Sequence, residues 1–322
     1  MVYTSLPSKV SDSLLRIATR GSKLALWQAE HVRDRLLQQH PGLRVELVVL
    51  KTKGDLILDR PLAEAGGKGL FVKELESALL ENQADLAVHS LKDVPALLPD
   101  GLELSTILSR ENPHDAIVFR EKNMKLEDLP PGSMIGTSSL RRAAQLRNIR
   151  PDLKVTSLRG HVPTRLQKLD SGKVDAAVLA VAGLRRLELE HRIDQELLPE
   201  QMLPAIGQGV LAIEIRKDDV NTLKKLHFLN DDSSRDCIIA ERKVLEKLEG
   251  NCQVPLAGFC MIENEMLHLR ALIADPDGTE IIRGEEYAPR QNAEQLGVRV
   301  ARALLEQGGG ELLRKLSADY ER

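Results

Sequence analysis

Residues 15–36 read LRIATRGSKLALWQAEHVRDRL, and the fold class follows from them. Leu15 to Thr19 is a short apolar-rich run of strand type. Ala25, Ala29, Val32 and Leu36 then recur at i, i+4, i+7 and i+11, the stripe of an amphipathic helix. Pro41 and Gly42 should end it. Arg20, Gly21 and Ser22 form the junction, with Ser22 where an N-cap belongs. Ile135-Gly-Thr-Ser-Ser139 opens a second unit the same way, with a strand at Met134 to Gly136 and a helix from Leu140 to Asn148. The shared pattern is too short to establish a duplication, but both segments are good helix starts. Val45–Leu50, Leu86–His89, Lys154–Ser157 and Ala176–Val181 read as further strands. Helix stripes at Phe71, Leu75, Ala78 and at Val162, Leu166, Leu169 lie among them. Strand–helix alternation implies βα units, hence an α/β protein with two parallel-sheet lobes.

The segment Pro204 to Arg216 runs through glycines into the apolar strand Val210–Ile215 and can return the chain to the first lobe. Two crossovers of this kind build a hinged cleft. From about Leu226 the grammar changes. Cys237, Ala240, Val244 and Leu248 mark a helix. Leu267, Leu269, Ala271 and Ile273 alternate as in a half-exposed strand. Ala293, Leu296, Val300 and Ala303 mark a last long helix. The expected division is a flexible tail 1–13, a first lobe 14–108 plus 205–225, a second lobe 109–204, and a small α+β third domain 226–322.

Composition narrows the function. The 322 residues are 42% hydrophobic, enough for a core in each of two or three domains. A formal charge of -3 argues against a broadly basic nucleic-acid binder, and eight aromatic residues are too few for a base-stacking platform. Three cysteines (Cys237, Cys252, Cys260) make no disulfide framework and suit a reducing compartment. No apolar run approaches the ~20 residues of a membrane span, and residues 1–13 show no secretory h-region. The chain reads as cytoplasmic. It has no C-x-x-C and no His pair at zinc-ligand spacing, so no metal is expected.

The near-neutral total conceals a concentration of charge. Residues 131–170 hold eight basic side chains (Arg141, Arg142, Arg147, Arg150, Lys154, Arg159, Arg165, Lys168) against Asp152 and Asp170, a local charge of +6. Arg141, Arg142 and Arg159 fall at strand-to-helix junctions, as Arg20 does in the first unit. In an open α/β sheet these junctions line the ligand crevice. Helix N-termini attract anions, and arginine adds bidentate recognition of carboxylate or phosphate. Arg20, Arg141, Arg142, Arg159 and Arg165 are therefore read as anion ligands. Arg147, Arg150 and Lys168 are read as a solvated basic face. Asp93 ends the strand Leu86–Val88 beside Lys92. It can orient a substrate N–H and stabilise a cation, or make a local turn bond. His89 reads as a core or supporting histidine. Ala65-Gly-Gly-Lys-Gly69 lacks the spacing of a nucleotide phosphate loop, and a Gly-rich flap carrying Lys68 to an anion fits better. Cys252 lies in the loop Glu249–Pro255, where a thiol is either inert or a nucleophile. Cys237 and Cys260 read as core.

Eight stretches carry a wider resemblance: RIATRGSKLALWQAE (16–30), GGKGLFVKELE (66–76), DLAVHSLKDVP (85–95), IGTSSLRRAAQL (135–146), SLRG (157–160), VLAVAGLRRL (178–187), PAIGQGVLAIE (204–214) and GNCQVPLAG (250–258). Together they resemble the porphobilinogen deaminase (hydroxymethylbilane synthase) family from about Leu15 to about Gly309. The resemblance implies that four porphobilinogen molecules are deaminated and joined head to tail into hydroxymethylbilane, with release of ammonia. It implies a dipyrromethane cofactor held by a thioether to Cys252, and a catalytic aspartate at Asp93. It implies carboxylate-binding cations at Arg20, Lys68, Lys92, Arg141, Arg142, Arg159, Arg165 and Arg186, and hydroxyl contacts from Ser22, Ser90, Thr137 and Ser139. It also implies three domains, two forming a cleft like that of two-lobed solute-binding proteins. The enzyme is expected to act as a monomer on a small molecule, with neither nucleic acid nor membrane as partner.

The implied chemistry agrees with the residues. Each porphobilinogen ring carries an acetate and a propionate, and crowding such rings into one cleft demands cations. Three positions depart from the family pattern: Glu64 where Lys is frequent, His161 where Asn is usual, and Asn251 where Gly is usual. Asn is among the better substitutes where φ is positive. The competing reading is a non-catalytic two-lobed anion-binding protein using the same arginines. That reading leaves the loop cysteine and the third domain without a purpose.

Overall fold

The computed structural model describes residues 14–52, 54, 69, 71–122, 124–248 and 254–320. The expectations placed on residues 1–13, Glu64, Lys68, Asn251 and Cys252 lie outside the described residues.

The first sheet contains β1 (Leu14–Arg20), β2 (Arg44–Leu50), β3 (Leu86–Ser90), β4 (Leu102–Ile107) and β10 (Leu211–Arg216), in the order β2-β1-β3-β10-β4. Helix α1 (Lys23–Gln39) covers one face, where Ala29, Val32 and Leu36 meet Leu15, Ile17, Leu86 and Val88. Helix α2 (Lys73–Leu80) covers the other, where Leu75, Ala78 and Leu79 meet Ala18 and Ala87. This is the period-2 alternation of a strand buried on both sides. The second sheet contains β5 (Asp115–Phe119), β6 (Met134–Gly136), β7 (Lys154–Thr156), β8 (Ala176–Ala180) and β9 (Gln195–Leu197), in the order β7-β6-β8-β5-β9. Its helices are α3 (Leu140–Ile149), α4 (Val162–Asp170) and the short α5 (Val181–Arg186).

Strand for strand, the two sheets have one topology. The first three strands are parallel, and the last two join antiparallel in both. β1 and β6, the strands of the two similar sequence openings, occupy the same place. The lobes are parallel-rich, as the βα alternation implies, and depart from purely parallel sheets at one strand each. β5 and β10 account for the difference. Each enters its sheet directly from a segment passing between the lobes, without a crossover helix to impose parallel pairing.

After α6 (Val220–Leu226) comes the third domain. It comprises α7 (Asp232–Lys247), the antiparallel meander β11 (Leu256–Glu263), β12 (Met266–Ala274) and β13 (Ile281–Pro289), and helices α8 (Ala293–Leu304) and α9 (Gly310–Tyr320). Leu267, Leu269, Ala271 and Ile273 pack on α7 and α8. The opposite face is not exposed, contrary to the alternation. Leu272 and Ala274 are buried with Ala144 and Leu203 of the second lobe. Arg147 donates to the Pro276 carbonyl, and Arg150 binds Asp152 and the carbonyls of Leu126 and Leu129. These two arginines fasten structure instead of forming a solvated face, because the third domain and the 126–129 turn pack over that side of α3. Among the described residues, no helix is long and apolar enough to cross a membrane.

Candidate active site

The strand ends of both lobes converge on one cleft, and capping places its hydroxyls. Ser22 Oγ accepts from Ala25 N (3.2 Å) and starts α1, and Ser139 Oγ accepts from Arg142 N (3.4 Å) and starts α3. Thr137 Oγ1 accepts from Ser139 N at 3.2 Å. Ser90 closes β3, and its Oγ accepts from Gln28 Nε2 at 2.8 Å. A single 3₁₀ turn, Leu91–Asp93, follows. Leu91 is buried and anchors the turn, its N–H donating to Val210 O at 3.0 Å. Lys92 is left half-buried and Asp93 exposed at the carboxyl end of the strand.

Opposite them lies a carboxylate that the sequence reading did not single out. Asp115, wholly buried at the start of β5, accepts from Arg141 Nη1 (2.7 Å) and from Arg142 Nε (2.9 Å) and Nη2 (2.7 Å). Burial works to raise its pKa, but the two guanidiniums overcome this and hold it well below the usual carboxylate range. Arg141 also donates to Leu203 O, and Arg142 to Val178 O. Both arginines thus sit at the helix start expected of anion ligands, yet their described bonds run into the protein. Gln208 was also missed. Its Nε2 donates to Asp115 Oδ1 (3.0 Å) and Pro113 O (2.6 Å), and its Oε1 accepts from Lys92 Nζ (3.2 Å).

Burial, with Arg142 nearby, pushes Lys92 down to about 8, while Asp93 and Asp115 oppose the shift. Burial pushes Arg165 down to about 10, with Arg142 adding to the shift and Asp93 opposing it. Burial likewise brings Arg186 to about 10. The described donors of these three rest on neutral oxygens: Lys92 on Gln208 Oε1, Arg165 on Gly160 O at 2.7 Å, and Arg186 on Gly209 O at 2.7 Å. Arg186 also lies 5.9 Å from the Trp27 ring centroid, reaching from the second lobe to α1 of the first. Arg20 stands 4.1 Å over the Phe71 ring. Arg159 is half-buried, with Lys168 donating to its carbonyl at 2.9 Å.

Behind β3, His89 and Glu214 are buried and bonded at 2.9 Å. Glu76 on α2 is buried beside them, and desolvation together with the Glu214 charge lifts it to about 7. His89 is therefore a supporting core residue. Cys237 and Cys260 are buried in the third domain's core. Among the described residues, Lys92 and Arg165 rest on neutral acceptors near the exposed carboxylate of Asp93, and Arg186 rests on Gly209 O with Glu111 as its nearby carboxylate. That imbalance fits a ligand carrying several carboxylates of its own, as the dipyrromethane and its substrate do.

A family model described as porphobilinogen deaminase, dipyromethane cofactor binding domain, matches residues 15–224. A second, porphobilinogen deaminase, C-terminal domain, matches residues 236–306. Among solved structures, the BenM effector-binding domain with benzoate is 17% identical, covering 68% of this chain and 90% of that one, with a TM-score of 0.44. The periplasmic sulfonate-binding protein SsuA from Methylobacillus flagellatus is 16% identical, covering 72% and 74%, at 0.38. A periplasmic binding protein of high arginine specificity from Salmonella typhimurium is 12% identical, covering 67% and 91%, at 0.40. One family model spans both mixed sheets with their cation-lined cleft and the other spans the helix–meander domain, so the chain belongs to the porphobilinogen deaminase family.

Proposed function

We propose that this transferase of tetrapyrrole biosynthesis joins four porphobilinogen molecules into hydroxymethylbilane, with Asp93 as its catalytic residue and Cys252 as its covalent anchor. The observation that carries this reading is that Lys92 and Arg165 rest on neutral oxygens near the exposed carboxylate of Asp93, with Arg186 likewise on a backbone carbonyl.

The dipyrromethane would be tethered by a thioether to Cys252 and held through its side-chain carboxylates by Arg141, Arg142, Arg159, Arg165 and Arg186. Arg20, Lys68 and Lys92 would add to that charge, and Ser22, Ser90, Thr137 and Ser139 would supply hydrogen bonds. When bound, it supplies a nucleophilic pyrrole carbon fixed to the protein. Asp93 does two things for the incoming substrate. Its carboxylate accepts the pyrrole N–H, which orients the ring. It also stabilises the positive charge that develops on the ring as ammonia leaves, a form of electrostatic stabilisation by a positioned anion. The surrounding cations offset the carboxylates of the growing chain, whose mutual repulsion would otherwise oppose each addition. Asp115 keeps Arg141 and Arg142 in place from behind. We also propose the lobe limits 14–108 plus 205–225 and 109–204, the third domain 226–322, and a monomer acting in the cytoplasm without nucleic-acid or membrane partners.

Intact-mass analysis with peptide mapping, on protein from cells supplied with porphobilinogen, tests the anchor. The expected result is two linked pyrrole units on the peptide containing Cys252, absent from Cys252→Ser. An unmodified Cys252, or the same adduct on the serine variant, overturns the assignment.

A further inference from the structure

Gln208 lies on the return crossover between Gly207 (φ +72°) and Gly209 (φ +88°), and is itself 1% exposed. Neither glycine has room for a side chain. A Cβ on Gly207 would approach Leu91 Cγ to 2.8 Å, and one on Gly209 would approach the Glu111 carbonyl oxygen to 2.2 Å. The backbone here is held from three sides. Gly207 N donates to Glu241 Oε2 of α7 (2.8 Å), while Glu111 N (3.2 Å) and Arg186 Nη2 (2.7 Å) both donate to Gly209 O. A fixed backbone fixes the Gln208 amide. Its Nε2 faces the Pro113 carbonyl and the Asp115 carboxylate, which are acceptors only, so the amide cannot be flipped. Its oxygen must then face Lys92 Nζ, as it does at 3.2 Å.

We infer that Gln208 is a positioning residue for the transferase reaction, an oriented acceptor that holds Lys92 beside Asp93 as a cation and whose direction is set from the second lobe by Asp115. This rests on the reading of the cleft as the porphobilinogen site. Lys92 needs such an acceptor. The charged groups facing it are Asp93 on its own turn, Arg141 and Arg142 on α3, and Asp115 on β5, and the two arginines oppose its proton. A hydrogen bond to the charged form favours that form. Glutamine supplies it without adding a second carboxylate beside Asp115, and so leaves the Asp115–Arg141–Arg142 charge arrangement undisturbed.

The test uses the full chain carrying its cofactor, with Gln208→Met and Gln208→Glu. The methionine variant removes the acceptor, and the glutamate variant makes it anionic. Two readouts are followed: the alkaline limb of kcat/KM for porphobilinogen, and the Lys92 titration by NMR of protein labelled with ¹³Cε-lysine. Both should move about one pH unit downward in Gln208→Met and about one unit upward in Gln208→Glu. A role confined to packing would move neither in opposite directions. If Lys92 titrates at the wild-type midpoint in both variants, the inference is wrong. A third measurement needs no variant. In the wild-type protein the Gln208 side-chain amide resonances should shift with the Lys92 midpoint, and resonances flat across that titration also overturn the inference. Wild-type protein that does not consume porphobilinogen contradicts the reading of the cleft instead, and the lysine titration still decides the role of Gln208.

Discussion

Replacing Asp115 by Asn removes one negative charge and almost no volume, so the consequences are electrostatic. The carboxylate has no exposure and takes four hydrogen bonds, from Arg141 Nη1, Arg142 Nε and Nη2, and Gln208 Nε2. Asparagine keeps one oxygen and turns an N–H₂ toward a guanidinium. Two arginines, each 5% exposed, are then left buried without a counter-charge. Removing one partner of a buried ion pair costs about 3–5 kcal/mol. For a lobe of this size that corresponds to a fall in Tm of roughly 12–40 °C. The pH dependence has a definite sign. The folded pKa of Asp115 is depressed, so its contribution is full above the unfolded carboxylate value of ~4 and is lost only as pH falls through the folded value. Denaturant unfolding followed by circular dichroism should give the same wild-type minus variant difference at pH 7 and pH 5, shrinking only in stronger acid. A variant within 1 kcal/mol of wild type at pH 7, or a gap already closing between pH 7 and 5, would refute the reasoning.

Asp93 is exposed and at a turn, so Asp93→Ala should keep the wild-type Tm while lowering kcat by about 10²–10⁴-fold; near-normal turnover removes its assigned role. Glu76 has a folded pKa raised to about 7, so its stabilising form is the protonated one, fully present below the usual glutamate value and lost as pH rises through 7. Glu76→Gln should therefore stabilise the protein by about 1–3 kcal/mol at pH 8 and by little near pH 4, and an equal effect at both pH values contradicts the cause assigned to the shift. Gly209→Ala drives a Cβ into the Glu111 carbonyl at a positive φ, and should cost about 1–3 kcal/mol in chemical denaturation; a neutral substitution would mean the crossovers can separate.

The parts of the fold legible in the sequence were those with local causes. Ser22 and Ser139 announce their helices because capping is decided within three residues, and both do accept the N–H expected of a cap. The stripes at Ala29, Val32, Leu36 and at Leu267, Leu269, Ala271 face cores as their periods require. What escaped was set by distant partners. β4 and β5 are short runs in a Pro- and Asp-punctuated stretch and become strands by pairing with β10 and β8, far along the chain. Leu272 and Ala274 are covered only because the second lobe docks on the meander. The site divides the same way. The cation-rich junctions and Asp93 could be read from position. Asp115 and Gln208 could not, because Asp115 is one acid among 48 Asp and Glu residues until two arginines from α3 close on it. The adjoining Gly207 and Gly209 were the one available signal that Gln208 lies in a close backbone approach. The charge at 131–170 pointed to a ligand. In the structure part of that charge is balanced by Asp115, part is spent on packing by Arg147 and Arg150, and Arg165 lies near Asp93.

The central claim is that this chain converts porphobilinogen through the cleft around Asp93. Its most direct test is the stoichiometry of purified protein supplied with porphobilinogen alone, with ammonia release and oligopyrrole length measured together. The account predicts one ammonia for each porphobilinogen consumed and a released product of four linked rings. Porphobilinogen bound in the cleft but returned unchanged, with no ammonia formed, would contradict it.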